Sequence, residues 1–173
     1  MNQYLPRVNE KLSFARILLK VFTTLEDKND ADIWHQRQAY IESIVVHLMQ
    51  AYRLYLYEIA DNYQISTLQS IDNEKALYDL LKQQNKESAE TNELLELEKS
   101  AGSWLNRLCL CYQSVISISP SYNKISAERE NSLIQSVSLE DNEPDGSNLK
   151  SVQEYYQAML ELIERGRETM VEY

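Results

Sequence analysis

Glycine and proline are scarce in this chain, with three of each among 173 residues. A many-stranded β protein turns its backbone tightly and often, and those turns depend on these two residues. The shortage excludes such a fold, while Leu, Glu, Gln, Lys and Ala, all good helix formers, are plentiful. Cysteine is limited to Cys109 and Cys111. Two residues apart on a helix, their side chains diverge by about 200°, so they do not bond to each other and read as small hydrophobes in a reducing compartment.

Long apolar runs are missing too. The most apolar window, Ile41 to Ile59, is interrupted by Glu42, His47, Gln50, Arg53 and Glu58, each costly in lipid, which argues against a membrane span. Near the N-terminus Arg7, Glu10, Lys11, Arg16 and Lys20 break up any secretory signal, so a cytoplasmic location is expected. Positive charge is in deficit, with 17 Lys+Arg against 27 Asp+Glu and a net charge of −10. Such a surface repels phosphate backbones and anionic headgroups on average, and no basic run offsets it. Neither nucleic acid nor a membrane is expected as a partner.

What is present is helical periodicity. Val8, Leu12, Ala15, Leu19 and Phe22 form an apolar seam on a first helix from Pro6 to about Leu25. A second helix, about Ala31 to Tyr63, carries Ile41, Ile44, Leu48, Tyr52, Tyr55 and Ile59, broadened by Val45, Met49, Leu54 and Leu56. A helix apolar over most of its circumference is enclosed by others, so this one is expected at the centre. Ser66 and Gln69 have capping-box spacing before a short helix from about Thr67 to Gln84. A fourth helix follows from Ala89 to Ser117 on the seam Leu94, Leu97, Ala101, Trp104, Leu108, Cys111 and Val115, with Gly102 marking a point of kink or break. Residues 119–147 form a long polar connection with one apolar island, Leu133, Ile134, Val137 and Leu139. Ser151 and Glu154 repeat the capping-box spacing near the start of the last helix, whose seam is Leu149, Val152, Tyr156, Met159, Ile163 and Met170. The expected fold is all-α: one antiparallel bundle of four main helices plus a short one, spanning 1–173, with an irregular crossover before the C-terminal helix.

No chemical motif survives inspection. A di-iron site needs Glu-x-x-His on two helices, and the nearest approximation is Asp32-x-x-His35. His47 has no nucleophile or charge-stabilising motif beside it. Neither histidine has the arginine, four to six residues before it, that a helical toxin ribonuclease would use. Asp141, Glu143, Asp145 and Gly146 mimic half a calcium loop, but position twelve is Val152, where a bidentate Glu is required. No catalytic residue, cofactor or metal site is therefore assigned. Twelve tyrosines against two phenylalanines, with Tyr52, Tyr55, Tyr57, Tyr63, Tyr155 and Tyr156 in two groups, suit core edges, with an exposed aromatic interface as the alternative.

The stretches PRVNEKLSFARILL, SWLNRLCLCY, SLIQSVSL and LIERGRETM, with Arg7, Asn9, Lys11, Leu12, Phe14 and Ala15 at one end and Arg165, Arg167 and Glu168 at the other, resemble a small, mostly gammaproteobacterial family classed as a domain of unknown function. The resemblance runs from Tyr4 to Glu172 and implies a bacterial cytoplasmic helical bundle; it carries no activity. It points to the chain ends, where Arg7, Asn9, Lys11, Arg165 and Arg167 could form a cationic corner for an anion or a partner's carboxylates, against the simpler expectation of salt bridges to the chain's own glutamates. The leading functional expectation is a non-enzymatic protein-interaction module that binds a protein partner or itself. The rival is a small-molecule-binding bundle, enzymatic or not, with a pocket at His47, Tyr52 and Glu58.

Overall fold

The computed structural model describes residues 2–24, 33–65, 70–117 and 148–171. Those residues form six helices: α1 (Leu5–Thr23), α2 (Ile33–Asn62), α3 (Glu74–Gln83), α4 (Ala89–Lys99), α5 (Trp104–Ile116) and α6 (Leu149–Val171). The Ser66–Gln69 capping box, the apolar island Leu133–Leu139, the Asp141–Gly146 loop and the 119–147 connection lie outside the described residues.

α2 is the hub, as its all-round apolar character requires. It packs against α1, α3, α5 and α6. Every seam position expected of it is buried, including Val45, Met49, Leu54 and Leu56. The α1 seam is buried in full as well. α1 runs antiparallel to α2, as shown by the ring pairs Tyr4–Tyr57, Phe14–His47 and Phe22–Tyr40. Each fully buried Leu, Ile, Val or Met contributes about 1.5–3 kcal/mol of transfer free energy, and these residues dominate a single core cluster that also includes Leu77, Leu94, Leu105, Leu108, Met159 and Ile163.

The expected fourth helix is two helices. Gly102 takes φ +85°, a backbone conformation that only glycine adopts without strain, and the chain breaks there. Ser103 restarts it by accepting a hydrogen bond from the Asn106 N–H at 3.1 Å. The break changes the register, so Leu105 is buried while Ala101, which the continuous seam placed inside, is exposed. The start of α3 and the cap of α6 also differ from expectation. α3 begins at Glu74 with Asn73 as its cap, the Asn73 Oδ1 accepting from the Ala76 N–H at 2.8 Å. At α6 the Asn148 side chain accepts from the Ser151 N–H, so Asn148 rather than Ser151 is the cap.

Ion pairs between helices reinforce this packing. Arg107 of α5 pairs with Glu154 of α6, Arg165 of α6 with Glu93 of α4, and Arg167 of α6 with Glu58 of α2. A buried polar knot lies at the start of α4: Glu90 accepts hydrogen bonds from the hydroxyls of Ser88, Tyr63 and Thr169. It joins the end of α2 to α4 and α6.

Candidate functional site

The proposed cationic corner divides into two unlike halves. Glu58 is 2 % exposed, and a carboxylate that far from water requires a counter-charge. Arg167 supplies it through a two-pronged contact, Nε to Oε1 at 2.7 Å and Nη2 to Oε2 at 2.8 Å, while its Nη1 donates to Asn9 Oδ1 at 2.9 Å. The planar guanidinium fork matches the carboxylate, which makes this the strong form of the interaction. Asn2 closes the arrangement by donating to the Glu58 carbonyl at 2.8 Å. Arg165, three-fifths of a turn away, reaches the Glu93 carboxylate instead. Both C-terminal arginines and Asn9 are thus engaged within the fold. Arg7 and Lys11, which share α1 with Asn9, join no ion pair among the described residues.

His47, Tyr52 and Glu58 do not converge. The half-buried His47 ring stands edge-on to Phe14, with centroids 5.3 Å apart. Burial lowers its pKa below the usual 6.5, the Lys11 cation lowers it further, and a hydrogen bond with Gln50 opposes both. Tyr52 is directed toward α3, where its hydroxyl donates to Glu74 Oε2 at 2.8 Å. Burial and the Glu74 carboxylate push its phenol far above the ordinary range. Glu58 is committed to Arg167. Each of the three therefore faces a different neighbouring element, and no pair shares a hydrogen bond.

The cavity nearest this set is a cleft of about 420 Å³ whose lining includes Tyr52, Arg53, Glu74, Glu98, Cys109 and Tyr112. Arg53 lies over the Tyr112 ring at 5.3 Å. Burial, with Glu74 and Glu98 nearby, pushes the Cys109 thiol up to about 11, so it is protonated near neutrality and a poor nucleophile. Both cysteines are free.

The solvent side of α1 is a feature that sequence reasoning missed. Phe14, Ile17 and Val21 are 37 %, 53 % and 38 % exposed, and their spacing of three and four places them along one stripe of the helix. Around them stand Arg7, Lys11, Arg16 and Lys20, with Glu10 the helix's single carboxylate. Lys11 lies over the Phe14 ring at 5.1 Å. Among the described residues no ion pair engages any of these four cations. The tyrosine groups, by contrast, make no exposed aromatic surface: Tyr52, Tyr55 and Tyr155 are buried, and Tyr57, Tyr63 and Tyr156 are half-buried.

Among the described residues no helix is long and apolar enough to cross a membrane. Residues 1–173 match the model described as a Family of unknown function (DUF6586). No match was found among curated proteins or among solved structures.

Proposed function

We propose that the chain, which belongs to the DUF6586 family of unknown function, acts as a non-enzymatic protein-interaction module whose contact surface is the outer side of α1. The observation that carries this reading is that α1 is apolar on two sides. Its inner seam is consumed by α2 and the core, yet Phe14, Ile17 and Val21 remain exposed together on the outside. Single exposed apolar residues are ordinary, but an aligned group on one helix is the pattern of a surface that another protein covers.

A photo-crosslinking amino acid at Ile17 tests the reading in the native cell, with the same group at Gln153, an exposed position on α6, as the control. One dominant adduct is expected at Ile17, absent at Gln153 and lost when Phe14→Ser is added. Equal labelling at both positions, or none at Ile17, would contradict it.

A second reading is supported by the cleft at Tyr52. A small molecule held between Tyr52 and Tyr112 would raise the melting temperature; at 100 times its dissociation constant it adds about 2.7 kcal/mol of stability. A metabolite screen without any such shift argues against this alternative.

A further inference from the structure

We infer that the partner segment received by α1 is an acidic amphipathic helix, one that presents an apolar stripe flanked by Glu or Asp. This rests on the reading that α1's outer side is the contact surface and goes further by naming what it contacts. The charge distribution selects the partner. The chain as a whole carries a net charge of −10, yet α1 bears Arg7, Lys11, Arg16 and Lys20 against one carboxylate, Glu10. Among the described residues the three ion pairs use Arg107, Arg165 and Arg167, leaving those four cations without a carboxylate of their own. Screening over about 8 Å at physiological ionic strength makes this local excess, rather than the distant net charge, what an approaching helix encounters.

The apolar stripe separates an acidic helix from other anions. Phe14, Ile17 and Val21 run between the cations, with Arg7 and Lys11 on one flank of the stripe, Arg16 and Lys20 on the other, and Glu10 in line with it at its N-terminal end. A phosphate backbone offers carboxylate-like charge but no aliphatic surface to cover that stripe. A lipid surface offers both, but an interfacial helix sinks a wide apolar face into the acyl boundary, and the wide apolar face of α1 is already buried against α2. A second copy fits poorly. Pairing α1 with α1 opposes like charges, and the acidic outer side of α6, with Glu154, Glu161, Glu164 and Glu168, has no exposed large apolar residue among those described. An acidic amphipathic helix answers both features, laying apolar anchors at i, i+3, i+4 and i+7 along the stripe.

The test is a fluorescence-anisotropy titration of the full chain with a synthetic peptide of about 18 residues, long enough to form a helix on binding, patterned with Leu at i, i+3, i+4 and i+7 and Glu between. Comparison probes are a scrambled peptide of the same composition, a peptide with Lys for Glu, phosphatidylglycerol vesicles and polyuridylate. The acidic amphipathic peptide is expected to bind tightest, and to lose about tenfold or more in affinity on Arg16→Glu with Lys20→Glu and likewise on Ile17→Ser. Those substitutions lie on exposed positions, and circular dichroism checks that the helices persist. Equal binding of the scrambled or basic peptide, tighter binding of vesicles or RNA, or a concentration-dependent dimer abolished by Ile17→Ser would overturn the inference. So would the absence of any peptide binding. If the Ile17 crosslink persists in that last case, the contact surface stands and only the partner's acidic character falls; if both vanish, the face itself is not an interface.

Discussion

The hydroxyl oxygen of Tyr55 lies 1.8 Å from the point where a β-carbon on Gly166 would stand. Tyr55 projects from the C-terminal part of α2 onto the C-terminal part of α6, and only a residue without a side chain leaves room there. The same hydroxyl is buried and has no hydrogen-bond partner among the described residues. Burial, then the carboxylates of Glu90 and Glu58, push its pKa well above the usual tyrosine value, with the Arg167 cation opposing them.

Gly166→Ala should therefore destabilise the protein by about 3 kcal/mol, through overpacking. Tyr55→Phe removes an unsatisfied polar atom and should be neutral or stabilising by up to about 1 kcal/mol. In the Tyr55→Phe background the nearest atom to the new methyl is Cζ at 3.2 Å, and alanine regains about 1 kcal/mol of helix propensity over glycine. The two changes should couple strongly in a double-mutant cycle measured by urea denaturation. Simple additivity would show that the hydroxyl is not what fixes glycine at this position.

Arg167→Ala leaves Glu58 as a buried, unpaired carboxylate and should cost about 3–5 kcal/mol. Arg167→Lys keeps the charge but loses the fork, and should fall in between. Replacing both partners with Glu58→Leu and Arg167→Met should restore much of the stability. Arg165→Ala breaks a solvent-exposed pair with Glu93 and should cost under about 1 kcal/mol. Equal losses at the two arginines in chemical denaturation would refute this ranking.

Acidification should destabilise the fold in two stages. His47 has a lowered pKa in the folded chain, so its contribution is complete above 6.5 and declines as pH falls through the folded value. Burial raises the Glu90 pKa, but hydrogen bonds from Ser88, Thr169, its own backbone and Tyr63 outweigh it, and the net shift is downward from 4.5. Its contribution is accordingly present above 4.5 and lost as pH falls through the depressed value. Urea midpoints measured from neutral to acid pH should show both slopes, with His47→Gln flattening the first and Tyr63→Phe with Thr169→Val the second. Unchanged profiles in those variants would assign the acid sensitivity elsewhere.

The helices and their inner faces were legible because burial leaves a period of 3.6 in the sequence; the seams of α1 and α2 could be read directly. The Gly102 break was signalled by the glycine itself, but the 3–4 spacing ran on through it, so Leu105 was overlooked and Ala101 misplaced. Asn148 is a local cap that competed with the Ser151–Glu154 capping-box pattern of equal apparent merit, and Asn73 caps α3 from a position that no pattern singled out. The α1 surface was the least legible: Arg7, Lys11, Arg16 and Lys20 are four, five and four residues apart and form no run, and only the fold reveals that no carboxylate among the described residues pairs with them. The partnership of Arg167 with Glu58 spans 109 positions, and no pattern in either neighbourhood announces it.

That separation bears on how the protein is made. A ribosome releases Glu58 long before it reads the codon for Arg167, so the emerging chain carries an unneutralised acid in its future interior throughout that interval. Fragments ending short of Arg167 should stay loosely closed and be cleaved by proteases more readily than chains that include α6.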